Sequence, residues 1–217
     1  MINQKTYIPK VYSYTIKVYT MITQNEKNIL KLLLTSIGET YSINQIAKEC
    51  NLAPNGAFKI LKNLDKEGIL NSKKIANIKS YSLNFENEKT NNMLKLALIQ
   101  EFNSRVKFRF EDLKQLKEIT KACIIFGSYV DLKKEPNDLD IFFLIEDQQF
   151  NEFKKKSLPI FKTIPVEVHD VLQTPEDLAN NLKSKDKVIL EILKKGIVLW
   201  GYEDIIQIIE NEYKRQA

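Results

Sequence analysis

Ile29, Leu30, Leu33, Leu34 and Ile37 recur at the spacing of one helical face, behind Thr23 with Glu26 three residues on, the pattern of a capping box. They predict a helix from Thr23 that stops at Gly38. Ser42 then stands as the cap of a second, short helix through Ile43, Ile46 and Ala47. Cys50-Asn51-Leu52 makes a turn, and a third helix is predicted over residues 54–67, closed by Gly68. Two strand-like runs follow, 69–75 and 81–85, separated by the polar tip 76–79, and predict a β-hairpin. Upstream, residues 7–20 alternate, with Tyr12, Tyr14, Ile16 and Val18 against Ser13, Thr15 and Lys17, as a half-buried strand does. A second reading starts the natural protein at Met21 and treats residues 1–20 as an extension.

Residues 87–118 read as helix, broken near Asn103-Ser104. Strand-like segments are predicted over 122–126, 139–145 and 164–172, with a helix over 148–157 between the last two. Helices over 176–181, 187–195 and 204–215 complete the chain. The alternation of strands and helices predicts an α/β or α+β domain. No apolar run approaches the roughly 18 to 20 residues that cross a bilayer, and the N-terminus lacks the order of a signal peptide, so a cytoplasmic protein without a membrane partner is expected. Cys50 and Cys123 have no CxxC partner and read as small buried hydrophobes.

The net charge of +5 is unevenly spread. Residues 1–84 hold 12 Lys or Arg against 5 Asp or Glu, which is +7, and residues 85–217 hold the other 21 and 23, which is −2. A positive field confined to the first part of the chain points to nucleic acid as a partner there. The third helix offers Asn55, Lys59, Lys62, Asn63 and Lys66, and the hairpin offers Lys73, Lys74 and Lys79. Lys59, Lys62, Asn63 and Lys66 share one helical face, suited to phosphate contact. Residues 1–84 contain no arginine for bidentate guanine reading, so general DNA affinity is expected ahead of sequence-specific reading.

The densest chemistry lies in FGSYVDLKKEPNDLDIFFLI, residues 126–145. Asp138 and Asp140 are two apart in a strand and therefore point the same way, while Leu139, Ile141 and Phe143 enter the opposite layer. In IPVEVHDVL, residues 164–172, Glu167 supplies a third acid, His169 shares its face and Asp170 faces away. Hard oxygen ligands converging from neighbouring strands suit Mg²⁺ or Mn²⁺. Gly127 permits close backbone approach to a phosphate and Ser128 donates to its oxygens, with Lys133 and Lys134 in the same loop as further charge.

Gly-Ser, a spacer, Asp-x-Asp and a later hydrophobic–acid–hydrophobic strand resemble the polymerase beta nucleotidyltransferase superfamily, and the short form is similar to its minimal nucleotidyltransferase (MNT) branch. The likeness covers about residues 119–210, and LEILKKGIVLWGYED at 190–204 agrees with it. The helix-turn-helix and hairpin over 23–85 resemble the winged-helix domains of bacterial and archaeal transcription regulators. Together these resemblances imply an α+β protein. An N-terminal winged helix (three helices plus β-hairpin) would be followed by a nucleotidyltransferase-fold mixed β-sheet flanked by helices. The implied divisions are an extension with a possible strand over 1–22, a winged helix-turn-helix DNA-binding domain over 23–86, a helical connector over 87–118 and the nucleotidyltransferase domain over 119–217.

By resemblance Gly127 and Ser128 bind the nucleotide, Asp138 and Asp140 hold the metals, and Glu167 completes the metal site and assists deprotonation. The implied reaction moves a nucleoside monophosphate from an NTP, ATP foremost, to an acceptor hydroxyl on protein or RNA, with Mg²⁺ or Mn²⁺. DNA and a second copy of the chain, as a homodimer, are the further partners it brings into view. Two departures stand out: Tyr129 and Val130 follow the Gly-Ser where many relatives have Arg or a small residue, and the third acid is Glu rather than Asp. The alternatives are a non-catalytic, nucleotide-sensing transcriptional regulator and an antitoxin-like MNT protein acting on a HEPN-type toxin. A winged helix used for protein contact is the alternative to DNA binding.

Overall fold

The computed structural model describes residues 22–75, 78–133 and 135–216; the strand expected over 7–20 and Lys134 lie outside the described residues. The first helix, α1 (Gln24–Leu34), opens on the expected capping box: the Thr23 hydroxyl accepts from the Glu26 N–H, and Thr23 N–H donates to the Glu26 carboxylate. It ends before Gly38. The Thr35 hydroxyl donates to the Lys31 and Leu32 carbonyls and that of Ser36 to the Leu32 carbonyl, occupying acceptors that a longer helix would use. Ile37 is buried all the same.

A two-residue strand, β1 (Tyr41–Ser42), leads into α2 (Ile43–Glu49), capped by Ser42 with Gln45 reaching back. Next come α3 (Pro54–Lys66) and the hairpin β2 (Leu70–Ile75) and β3 (Ile78–Leu83). The hairpin is tighter than the four-residue tip predicted, because the ladder continues until Ile75 pairs with Ile78. β1 adds to β3, giving the sheet order β1-β3-β2.

The stretch 87–118 divides, as expected, into α4 (Glu88–Leu98), α5 (Ser104–Leu113) and a 3₁₀ turn at Lys114–Glu118, with the Asn103 side chain capping α5. The second sheet contains β4 (Ala122–Phe126), β5 (Asp138–Leu144), β6 (Glu167–Gln173) and β7 (Ile197–Trp200), in the order β6-β5-β4-β7. β5 and β6 are parallel and the other pairs antiparallel, so the architecture is α+β with a mixed sheet. The β5–β6 crossover carries α6 (Phe150–Phe161). It outlasts the predicted 157 despite Pro159, because Phe161 packs against Phe143 and Phe153. β6 begins only at Glu167, three residues later than predicted; Pro165 lacks the N–H that a ladder needs. The chain continues through α7 (Pro175–Lys183), α8 (Lys187–Lys195) and α9 (Tyr202–Gln216). Among the described residues no helix is long and apolar enough to cross a membrane.

The mixed sheet separates two apolar clusters. Cys123, Ile125, Leu139, Ile141 and Phe143 face one, with Phe153 of α6 and Leu113 of α5. Ile124, Phe142, Leu144 and Val198 face the other, which runs without interruption through α7, α8 and α9 to Leu30, Leu33 and Leu61 of the first helices. Ion pairs Lys185–Glu39 at 2.9 Å and Lys194–Glu49 at 3.2 Å cross the same boundary. Cys123 is fully buried, as expected, while Cys50 is only partly so.

Candidate active site

β4 ends at Phe126, and the chain turns through a 3₁₀ segment, Gly127–Val130, before returning as β5. Gly127 has φ +69°, a left-handed conformation that disfavours any Cβ. It is required for a second reason: a Cβ here would stand 2.0 Å from the Asp140 Oδ2. The glycine lets backbone and carboxylate share one corner. Ser128 Oγ donates to Asp138 Oδ1 at 3.3 Å, tying the turn to the other aspartate. Tyr129, the departure that follows, is buried in the cluster on the opposite face and takes the Arg105 guanidinium over its ring at 5.7 Å. Its bulk anchors the turn from behind.

Strand alternation brings Asp138 and Asp140 to one side, with Leu139 and Ile141 fully buried on the other. The parallel register pairs Asp138 with Glu167 and Asp140 with His169. His169 Nδ1 lies 3.6 Å from Asp140 Oδ1 and 3.8 Å from Asp138 Oδ2, and its Nε2 lies 3.5 Å from Glu167 Oε1. Ligand atoms of Asp138, Asp140 and His169 all fall within 4.8 Å of one another. Glu167 is 78% exposed at its side chain and meets the outer nitrogen of His169. The imidazole thus occupies the corner where sequence reasoning looked for a carboxylate. Asp170, opposite Ile141 in the register, is exposed.

Burial, and next the charge of Asp138, push the Asp140 carboxyl above the usual carboxylate range, with His169 pulling against them. Two carboxylates and an imidazole converging in this way fit a divalent cation, which removes the repulsion that raises Asp140. The sign for stability follows from the raised value. Above the ordinary carboxylate range and up to the raised one, the fold holds a proton that the unfolded chain has released. Stability from this group is therefore lost as pH rises through that window. Mg²⁺ or Mn²⁺ is expected to raise the melting temperature most above the window, with the gain fading as pH falls through it; thermal melts with and without the ion across acidic pH check this. A gain that grows as pH falls contradicts it.

Beside the turn lies a cavity of about 600 Å³, walled by Gly127, Ser128 and Val130 and, from α8, by Val188, Ile192 and Lys195. Its size is that of a small-molecule site. Sequence reasoning did not find this wall, because no motif announces it; the only local sign is the amphipathic Leu-Glu-Ile-Leu-Lys-Lys run of α8. Lys133, expected as loop charge, is exposed, and its N–H closes a turn onto Asp131 Oδ1 at 3.0 Å. Lys195 is the described lysine that borders the cavity.

Asn55, Lys59, Lys62, Asn63 and Lys66 are exposed on α3, and Lys73 and Lys74 on β2. Lys79 differs: its amine pairs with Asp65 at 2.8 Å, beside a Ser72 hydroxyl that donates to the same carboxylate, so it braces the hairpin against α3.

No curated protein and no solved structure matches the chain. The α+β architecture fits a nucleotidyltransferase fold. The segment that carries the glycine turn, both aspartates and His169, residues 109–205, matches the family model described as Polymerase beta, Nucleotidyltransferase, which supports an activity of nucleotidyltransferase type.

Proposed function

We propose that residues 119–217 form a nucleotidyltransferase domain that moves a nucleoside monophosphate from an NTP, with ATP as the first candidate, to an acceptor hydroxyl. The observation that carries this reading is the corner in which the Gly127 backbone lies directly against the Asp140 carboxylate and Ser128 Oγ reaches Asp138, beside a cavity of about 600 Å³. Asp138 and Asp140 would hold Mg²⁺ or Mn²⁺, with His169 as the third neighbour. Such ions, when bound, lower the charge barrier to attack on the α-phosphorus. Gly127 and Ser128 receive the triphosphate at the edge of this cavity, on whose far wall Lys195 is paired with Glu191 at 2.7 Å. Glu167, with His169 3.5 Å away, takes the proton that the acceptor hydroxyl loses. The new bond joins acceptor oxygen to the α-phosphorus, and the bond to the β-phosphate oxygen breaks, releasing pyrophosphate.

Incubation with each α-labelled NTP and Mg²⁺, against protein and RNA acceptors, tests the proposal. Label transferred together with pyrophosphate release is the expected result. Reversible NTP binding with no pyrophosphate released would overturn it in favour of a nucleotide sensor.

The first part of the chain is proposed to act as a winged-helix DNA-binding domain over 23–86. Its support is the order of three helices and a hairpin, with the lysines of α3 and β2 exposed on it. Contact would be mainly with phosphates. Replacing Lys59, Lys62 and Lys66 together by Ala is expected to weaken binding to duplexes of any sequence and to reduce the salt slope by about 1 for each phosphate no longer neutralised, read in gel-shift titrations at several salt concentrations.

A further inference from the structure

A second cavity, of about 760 Å³, lies where the end of α8 meets α1 and the ends of α2 and α4. Four lysines border it: Lys27 and Lys31 from α1, Lys194 and Lys195 from α8, against the acids Glu49 and Glu101. Three of the four amines are answered within the chain. Lys27 donates to the Ile99 carbonyl at 2.9 Å, Lys194 pairs with Glu49 at 3.2 Å, and Lys195 pairs with Glu191 at 2.7 Å. Lys31, one helical turn beyond Lys27, is partly buried and has no acceptor or carboxylate partner among the described residues. Burial, and then the neighbouring Lys27, push its amine down to about 8. A half-buried cation beside a second cation is unfavourable by itself, and an anion in the cavity removes the penalty. The amide side chains of Gln24, Asn28, Asn51 and Gln100 add donors to the same wall.

We propose that this cavity binds a small phosphorylated molecule, held through its phosphate oxygens by Lys31 and Lys27, at a site separate from the one beside Gly127. Its volume falls in the range of small-ligand pockets. Separation does not mean independence: Lys195 borders both cavities, so α8 is one wall of each. A ligand that draws on the Lys195 amine in the first cavity changes the charge facing the second.

The probe is inorganic tripolyphosphate, titrated calorimetrically into the full chain in the presence of a chelator. Wild-type protein is expected to bind it, and the Lys27→Gln, Lys31→Gln double variant to bind about tenfold or more weakly, the effect of losing a charged hydrogen bond. Equal affinity in the two proteins overturns the proposal. A measurement on the wild type alone guards against a variant that folds badly: an amine-reactive label, read by mass spectrometry, is expected to modify Lys31 more slowly with tripolyphosphate present while leaving exposed Lys154 and Lys162 unchanged. Labelling of Lys31 at the same rate with and without tripolyphosphate overturns the proposal equally.

Discussion

Asp138→Asn combined with Asp140→Asn is expected to lower Mg²⁺-dependent NTP turnover by ~10³-fold or more, because cation-borne stabilisation of a phosphoryl transition state is worth several kcal/mol. The same variant should melt no lower than the wild type. The two carboxylates repel across a partly buried corner, and that repulsion, added to burial, is what raises Asp140. Neutral amides of the same size remove it while leaving Leu139, Ile141 and Phe142 in their buried places. Loss of turnover with an intact melt separates a site from a scaffold. Turnover that survives in the folded variant eliminates the two-aspartate mechanism.

Gly127→Ala is expected to be the most damaging single change at the site. Its methyl group meets the Asp140 carboxylate at 2.0 Å, and the left-handed backbone adds about 1–2 kcal/mol of strain. Relief requires either the turn or Asp140 to move by the order of an ångström, a displacement that costs ~10²-fold in positioning-dependent rate. Steady-state kinetics of pyrophosphate release, alongside a melt, measure both parts. Ser128→Ala, which removes the 3.3 Å hydrogen bond to Asp138 and one proposed donor to the triphosphate but introduces no clash and no backbone strain, should be milder. Equal effects from the two substitutions would show that the corner is not built around the glycine.

Features governed by a few adjacent residues were legible in the sequence. Period-two alternation placed Asp138 and Asp140 together, and the boxes at Thr23 and Ser42 were readable because a cap is a contact between residues three apart. Gly127 was legible as a phosphate neighbour, whereas its tight contact with Asp140 depends on the β4–β5 pairing of Phe126 with Asp140. The third corner of the site was ambiguous for a similar reason. A parallel register is set by the whole crossover through α6, so whether Glu167 or His169 would reach the aspartates was not written in the local pattern. Tyr129 looked like a missing phosphate contact and is instead a buried anchor, a role decided by Arg105 some two dozen residues earlier. Lys79 reads as a nucleic-acid contact from the sequence, and its ion pair with Asp65 was not legible there because the partner lies on another element. The wall supplied by α8 comes from more than fifty residues downstream of the turn it faces.

The last helix closes the apolar cluster that begins at the first one. Tyr213 donates its hydroxyl to the Leu33 and Ser36 carbonyls and packs its ring on Phe85 at 5.1 Å, while Glu210 accepts from the Asn91 amide at 2.9 Å. Contacts that distant along the chain are the slowest to form. On the ribosome α4 is made early and covers much of the leucine-rich face of α1, whereas the carbonyls at the end of that helix and the Phe85 ring stay without their Tyr213 partner until α9 has been synthesised.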